Sequence, residues 1–156
     1  NAMNTSAEAG TGPAMTAKAE CEAAVIEVLE TMFFELPVDG PGISTGPPDH
    51  DVAVTAAFSG DLEGELSLAC GHWAMRRLAA SFLGREDDST VTGDEIHQVA
   101  CELANMVCGN ALSRIEPHGR FRIATPELRA PDAGAQPWIT FPLESGVISV
   151  RLEAGR

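Results

Sequence analysis

The chain reads as an α+β fold, a mostly antiparallel sheet with helices packed on one face. Three observations predict it. Segments 17–36, 71–83 and 93–115 repeat apolar residues at helical spacing. The strand-like runs arrive as hairpins, joined by Ser59-Gly60-Asp61 and Glu144-Ser145-Gly146, rather than through single helical crossovers. Within the first hairpin, Val52, Val54 and Ala56 alternate with Ala53, Thr55 and Ala57, and Leu62, Gly64, Leu66 and Leu68 share a face opposite Glu63, Glu65 and Ser67, a pattern that predicts a sheet with one wet side.

Asn1 and Ala2 precede Met3 and read as a cloning remnant, and residues 4–16 are small, polar and aperiodic, so residues 1–16 are expected to be tag remnant and flexible tail. Residues 17–156 are expected to form a single domain, long enough to bury roughly two-thirds of the surface its unfolded form exposes. In the first helix, Ala24, Val28, Thr31 and Met32 follow one ridge beside Val25, Leu29 and Phe33, and Pro37 is expected to end it. Residues 37–49 are rich in Gly and Pro and read as a loop. After strands 52–58 and 62–68 comes a second amphipathic helix over 71–83, with Gly84 as its C′ residue. The third helix, about Gly93 to Ile115, has Thr92 or Asp94 as candidate caps and stops at Pro117 and Gly119. Phe121–Ala124, Trp138–Leu143 and Val147–Leu152 complete the sheet.

Ten basic against twenty-three acidic residues give a net charge of −13, which argues against nucleic acid or an anionic membrane as partner. No apolar run reaches membrane-helix length, and no leader of secretory type is evident. The four cysteines, Cys21, Cys70, Cys101 and Cys108, form no Cys-x-x-Cys, and at this size they fit reduced thiols in a cytoplasmic protein.

The third helix is unusual. Ile96, Val99, Ala100, Leu103, Met106 and Val107 fall on a broad core arc, while Gln98, Glu102, Asn105 and Gly109 fall in a narrow wedge opposite. His97, Cys101, Ala104 and Cys108 flank it. Beyond residue 4 the chain has only two Asn, Asn105 and Asn110, and both lie here. Asn110 falls at the core arc, where it needs a hydrogen-bond partner. A merely solvated face would favour Lys, Glu, Gln or Arg over Asn and Gly, which cost helix propensity. An acid and an amide bordered by Gly and Ala make a shallow ridge suited to lie against another surface. A Glu-x-x-Asn pair also arises on ordinary solvated faces, and by itself it specifies no reaction.

The stretch ELANMVCGNA (102–111) resembles the signature helix of the CheC/CheX/FliY family of chemotaxis phosphatases, and within it the CheX branch. ETMFFEL (30–36) is similar to the end of that family's first helix, and AAFSGDLEGELSLAC (56–70) to its first hairpin. The resemblance implies a phosphatase of a phosphorylated response-regulator receiver domain of CheY type. Asn105 would orient a water for in-line attack on the aspartyl phosphate, and Glu102 would pair with the regulator's active-site Lys. Such chemistry rests on positioning, which an amide can supply. No cofactor is then needed in this chain, and Mg²⁺ is expected on the partner receiver domain. The resemblance also implies a possible homodimer.

Two positions depart from the family pattern. Gln98 stands where the family has Asp or Ser, and Pro126 lies slightly nearer than the family's proline. Gln98 and Gly109 are expected to support the site. The first helix carries no second Glu-x-x-Asn. The alternative is a non-catalytic module that binds a receiver or signalling partner through the same helix, or a scaffold component.

Other constellations are weaker. Cys101 and Cys108 are about 10 Å apart along a helix axis, so with His97 they do not form a metal set. Trp73, Phe33 and Phe34 read as core or edge packing. Ser113 and His118 lack a third partner for a triad, and residues 37–46 lack the Lys and following helix of a phosphate loop.

Overall fold

The computed structural model describes residues 13–155, with side chains described from residue 17 onward. The tag remnant and most of the expected tail lie outside the described residues. Among the described residues, three α-helices, α1 (Pro13–Phe33), α2 (His72–Leu83) and α3 (Gly93–Ile115), pack on a seven-stranded sheet. Its strands are β1 (Gly42–Ser44), β2 (Val52–Gly60), β3 (Glu63–Cys70), β4 (Phe121–Ile123), β5 (Glu127–Leu128), β6 (Trp138–Leu143) and β7 (Gly146–Gly155). All pairings are antiparallel, in the order β1-β6-β7-β3-β2-β4, with β5 on the same outer edge of β2 as β4. The α+β fold with helices on one face is therefore present.

One face of the sheet carries Val54, Ala56, Phe58, Leu66, Leu68, Phe141, Ile148 and Val150, all buried in a core shared with the helices. In α1, Ala24, Val25, Val28, Leu29 and Phe33 are buried, but Thr31 and Met32 of the expected ridge are exposed. The helix starts at Pro13, a residue whose fixed φ suits a first turn. It ends at Phe33, before Pro37, because Phe34 takes a left-handed φ of 56° and the Glu35 amide bonds back to the Leu29 carbonyl at 3.0 Å. Gly84 caps α2 as expected, with φ 70° and the paired bonds of a Schellman turn, Gly84 to Ser81 and Arg85 to Ala80.

The start of α3 is strongly specified. Thr92 Oγ1 accepts from the Glu95 amide at 3.1 Å, and Glu95 Oε1 accepts from the Thr92 amide at 3.0 Å, a reciprocal capping box. Arg85 then forks onto both Glu95 oxygens at 2.7 and 2.5 Å. The Arg85 bonds, followed by the Thr92 amide, lower the Glu95 carboxyl to about 2.

Three expectations are corrected. The second sheet face is not simply wet: Thr55, Ser67, Ser149, Arg151 and Trp138 are buried on it. Arg151 stacks 4.8 Å from the Trp138 ring centroid and donates to the Asp132 carbonyl and carboxylate at 2.9 and 2.7 Å, so segment 129–137 is strapped over that face. Of the residues expected in core or edge packing, Phe33 is buried, but Trp73 in the first turn of α2 and Phe34 just past the end of α1 are 66% and 79% exposed. Finally, the loop 37–49 contains β1, and the chain after α3 contributes the extra two-residue β5, both short edge pieces.

Candidate functional site

Along α3, Ile96, Val99, Ala100, Leu103, Ala104, Val107 and Cys108 are buried, and Gln98, Glu102 and Asn105 are exposed together. Positions three apart on a helix are surface neighbours, about 5–6 Å between Cβ atoms, so the Glu102 and Asn105 side chains project from one patch. Among the described residues neither makes an internal hydrogen bond or ion pair. Gly109 continues the ridge and is half-buried; a Cβ there would meet only Ile123 Cδ1, at an ordinary 3.7 Å. The ridge is thus kept low by choice of residue and not by crowding.

The two sides of the ridge differ. On one, the half-buried Cys101 thiol donates to the Pro126 carbonyl at 3.7 Å, so β5 and its preceding turn flank the helix. Burial, then the Glu102 charge, pushes that thiol up. On the other, α1 and α3 bound an open groove of about 550 Å³. Asn110 lies on this side and not in the apolar core. Its amide donates to Glu27 Oε2 at 3.1 Å and its carbonyl oxygen accepts from Arg114 Nε at 2.7 Å, while Arg114 also pairs with Glu27. The Asn110 bond and then Arg114 lower the Glu27 carboxyl. The helical wheel puts Asn110 on the core arc; the seam with α1 supplies the partner it requires.

The remaining candidates separate. His97 is exposed, Cys101 half-buried and Cys108 fully buried, so the three do not converge. Burial pushes the Cys21, Cys70 and Cys108 thiols up to about 12, which keeps them protonated and poor nucleophiles. Ser113 lines the groove, and His118 is exposed beyond the helix. Sequence reasoning missed Glu27 and Arg114 as neighbours of the site. No local signal could have found Glu27, which lies 83 residues from Asn110.

No helix among the described residues is long and apolar enough to cross a membrane. No curated protein is similar enough to match the chain. Among solved structures, the chain is similar to the CheX-CheY-BeF3-Mg complex of Borrelia burgdorferi, with TM-score 0.72 and 18% identity over 90% of this chain and 98% of that one. It is also similar to the chemotaxis protein CheX of Desulfovibrio desulfuricans, with TM-score 0.68 and 20% identity over 89% and 99% of the two chains. A third is a CheC-like superfamily protein of a Shewanella species, with TM-score 0.72 and 18% identity over 90% and 98%. At these identities the likeness shows the fold. Residues 52–140, more than half of the chain and including the whole of α3, match the family model of the chemotaxis phosphatase CheX. The chain belongs to the CheX family of chemotaxis phosphatases.

Proposed function

We propose that this chain hydrolyses the aspartyl phosphate of a phosphorylated CheY-like receiver domain. Asn105 orients the attacking water by accepting and donating hydrogen bonds, and Glu102 anchors the ridge against a cationic group of the receiver. The acceptor aspartate and Mg²⁺ belong to the receiver. The observation that carries the reading is the pair itself: an acid and an amide, both exposed and free of internal hydrogen bonds among the described residues, on a low ridge of α3. A phosphoryl-transfer step needs little from the protein beyond such positioning. The CheX family match and the solved CheX-CheY-BeF3-Mg complex of a similar fold support it. Gln98 lies on the same exposed side and adds a neutral polar contact where the family pattern has Asp or Ser. Two copies pairing along the outer edge of β1, where Ile43 is exposed, form the homodimer of the same reading.

The test is the phosphate lifetime of a phosphorylated CheY-like receiver with and without this chain. Acceleration over the receiver's own decay is expected. Saturable binding with an unchanged lifetime would instead assign a non-catalytic receiver-binding module, the alternative that Gln98 keeps open.

A further inference from the structure

The ridge offers its partner little apolar surface: one carboxylate, two amides and a glycine. Long-range attraction does not help either, since the chain carries −13 and a phosphorylated receiver site is itself acidic. The affinity must come from elsewhere on the same face.

The groove beside the ridge can supply it. Val28, Thr31 and Met32 of α1 face Met106, Gly109 and Ser113 of α3 across it. Met106 follows Asn105 directly, and Gly109 belongs to both ridge and groove, so a body seated with its reacting group at Asn105 has this groove under its flank. Met32 is 43% exposed on this wall. Two methionines make an adaptable apolar wall. The polar part of the lining is already satisfied: Glu27, Asn110 and Arg114 bond one another, and the Arg114 charge is offset by Glu27. With Arg114 engaged in that way its charge is not available to hold a phosphate, so the groove suits an apolar side chain.

We propose that the α1–α3 groove receives an apolar side chain of the same receiver domain whose phosphorylated site meets Asn105, and that it sets the affinity of the encounter. The inference rests on the function proposed above. Hydrolysis and the Glu102 anchor belong to the ridge, and the groove adds the larger share of the binding.

Thr31→Trp tests it by filling the groove. Thr31 is exposed, and its hydroxyl bonds only the Glu27 carbonyl of its own helix at 2.7 Å, so the fold has no need of it. Met32→Glu, at a second exposed position, adds a charge to the same wall. Binding to a CheY-like receiver loaded with beryllofluoride and Mg²⁺ is measured by calorimetry, with phosphate lifetimes and melting curves alongside. Both variants are expected to melt as the native chain does and to raise Kd and KM about tenfold, with kcat changing less than KM. Native affinity in both variants overturns the proposal, as does dissociation of a dimer with receiver affinity intact, which would give the groove to a second copy. If Asn105→Ala hydrolyses normally while Thr31→Trp binds weakly, the hydrolytic reading fails and the groove stands. If Asn105→Ala loses hydrolysis while Thr31→Trp binds normally, the groove fails alone. A native chain that does not bind the receiver sinks both.

Discussion

Gly109→Ala separates what the fold needs from what the ridge is for. Glycine in a helix interior costs about 0.5–1 kcal/mol relative to alanine, because more backbone freedom is lost on folding. That penalty is normally tolerated where a side chain would collide, but here the added methyl meets only Ile123 Cδ1, at 3.7 Å. Nothing has to move, and the contact is mildly favourable. The variant is therefore expected to be more stable by about 0.8 kcal/mol, which for a domain of this size raises Tm by roughly 2–3 °C. The methyl otherwise stands at the margin of the Glu102–Asn105 patch, where a docked receiver would lie closest to the helix. Its KM for a phosphorylated receiver is expected to rise about fivefold. Calorimetric melting and phosphate-release kinetics on the same preparation give both numbers. A fall in Tm would refute the placement of Gly109 beside open space, and a gain in stability with unchanged KM would refute the close-approach role of the ridge.

Two further predictions concern the frame that holds the ridge. The Glu95 carboxyl is lowered from 4.5 to about 2 in the fold, so its stabilising effect is complete above the higher value and disappears as the pH falls through the lower one. The Tm difference between native chain and Glu95→Gln should be largest near neutrality and shrink as the pH drops from 4.5 towards 2; a difference that grows on acidification would contradict the Arg85–Glu95–Thr92 arrangement. Arg151→Ala removes two hydrogen bonds to Asp132 and the cover over Trp138, and should cost on the order of 2–4 kcal/mol in urea unfolding. In a Trp73→Phe background it should also red-shift the remaining Trp138 emission, and an unshifted spectrum would mean segment 129–137 is held by something else.

Much of α3 is legible in the sequence because its determinants are local. Helical spacing, the candidate caps Thr92 and Asp94, and the stops Pro117 and Gly119 mark an element that the structure places at Gly93–Ile115, with Thr92 as its cap. The exposed set Gln98, Glu102 and Asn105 follows from the same periodicity. What is not legible depends on partners distant in the chain. Arg151 sits on a strand whose polar face reads as solvent-facing, and only the arrival of Asp132 and Trp138 makes it a buried residue. Asn110 is ambiguous until α1 brings Glu27 to it. Strands β1 and β5 are too short to carry a period, and they exist because β6 and β2 offer unpaired edges. Trp73 and Phe34 are ambiguous for the opposite reason: large apolar residues read as core or edge packing, and at the end of a helix they can be left largely exposed.

In the proposed function Asn105 does chemistry and not folding. Its side chain is exposed and makes no internal hydrogen bond among the described residues, so Asn105→Ala should fold at least as stably as the native chain, alanine being the better helix former. The decisive measurement is the phosphate lifetime of a phosphorylated CheY-like receiver saturated with this variant. An intact fold, retained receiver binding and a loss of acceleration on the order of a hundredfold or more, the usual scale for one positioned group, are expected. A variant that still accelerates dephosphorylation at the native rate would contradict the proposed function.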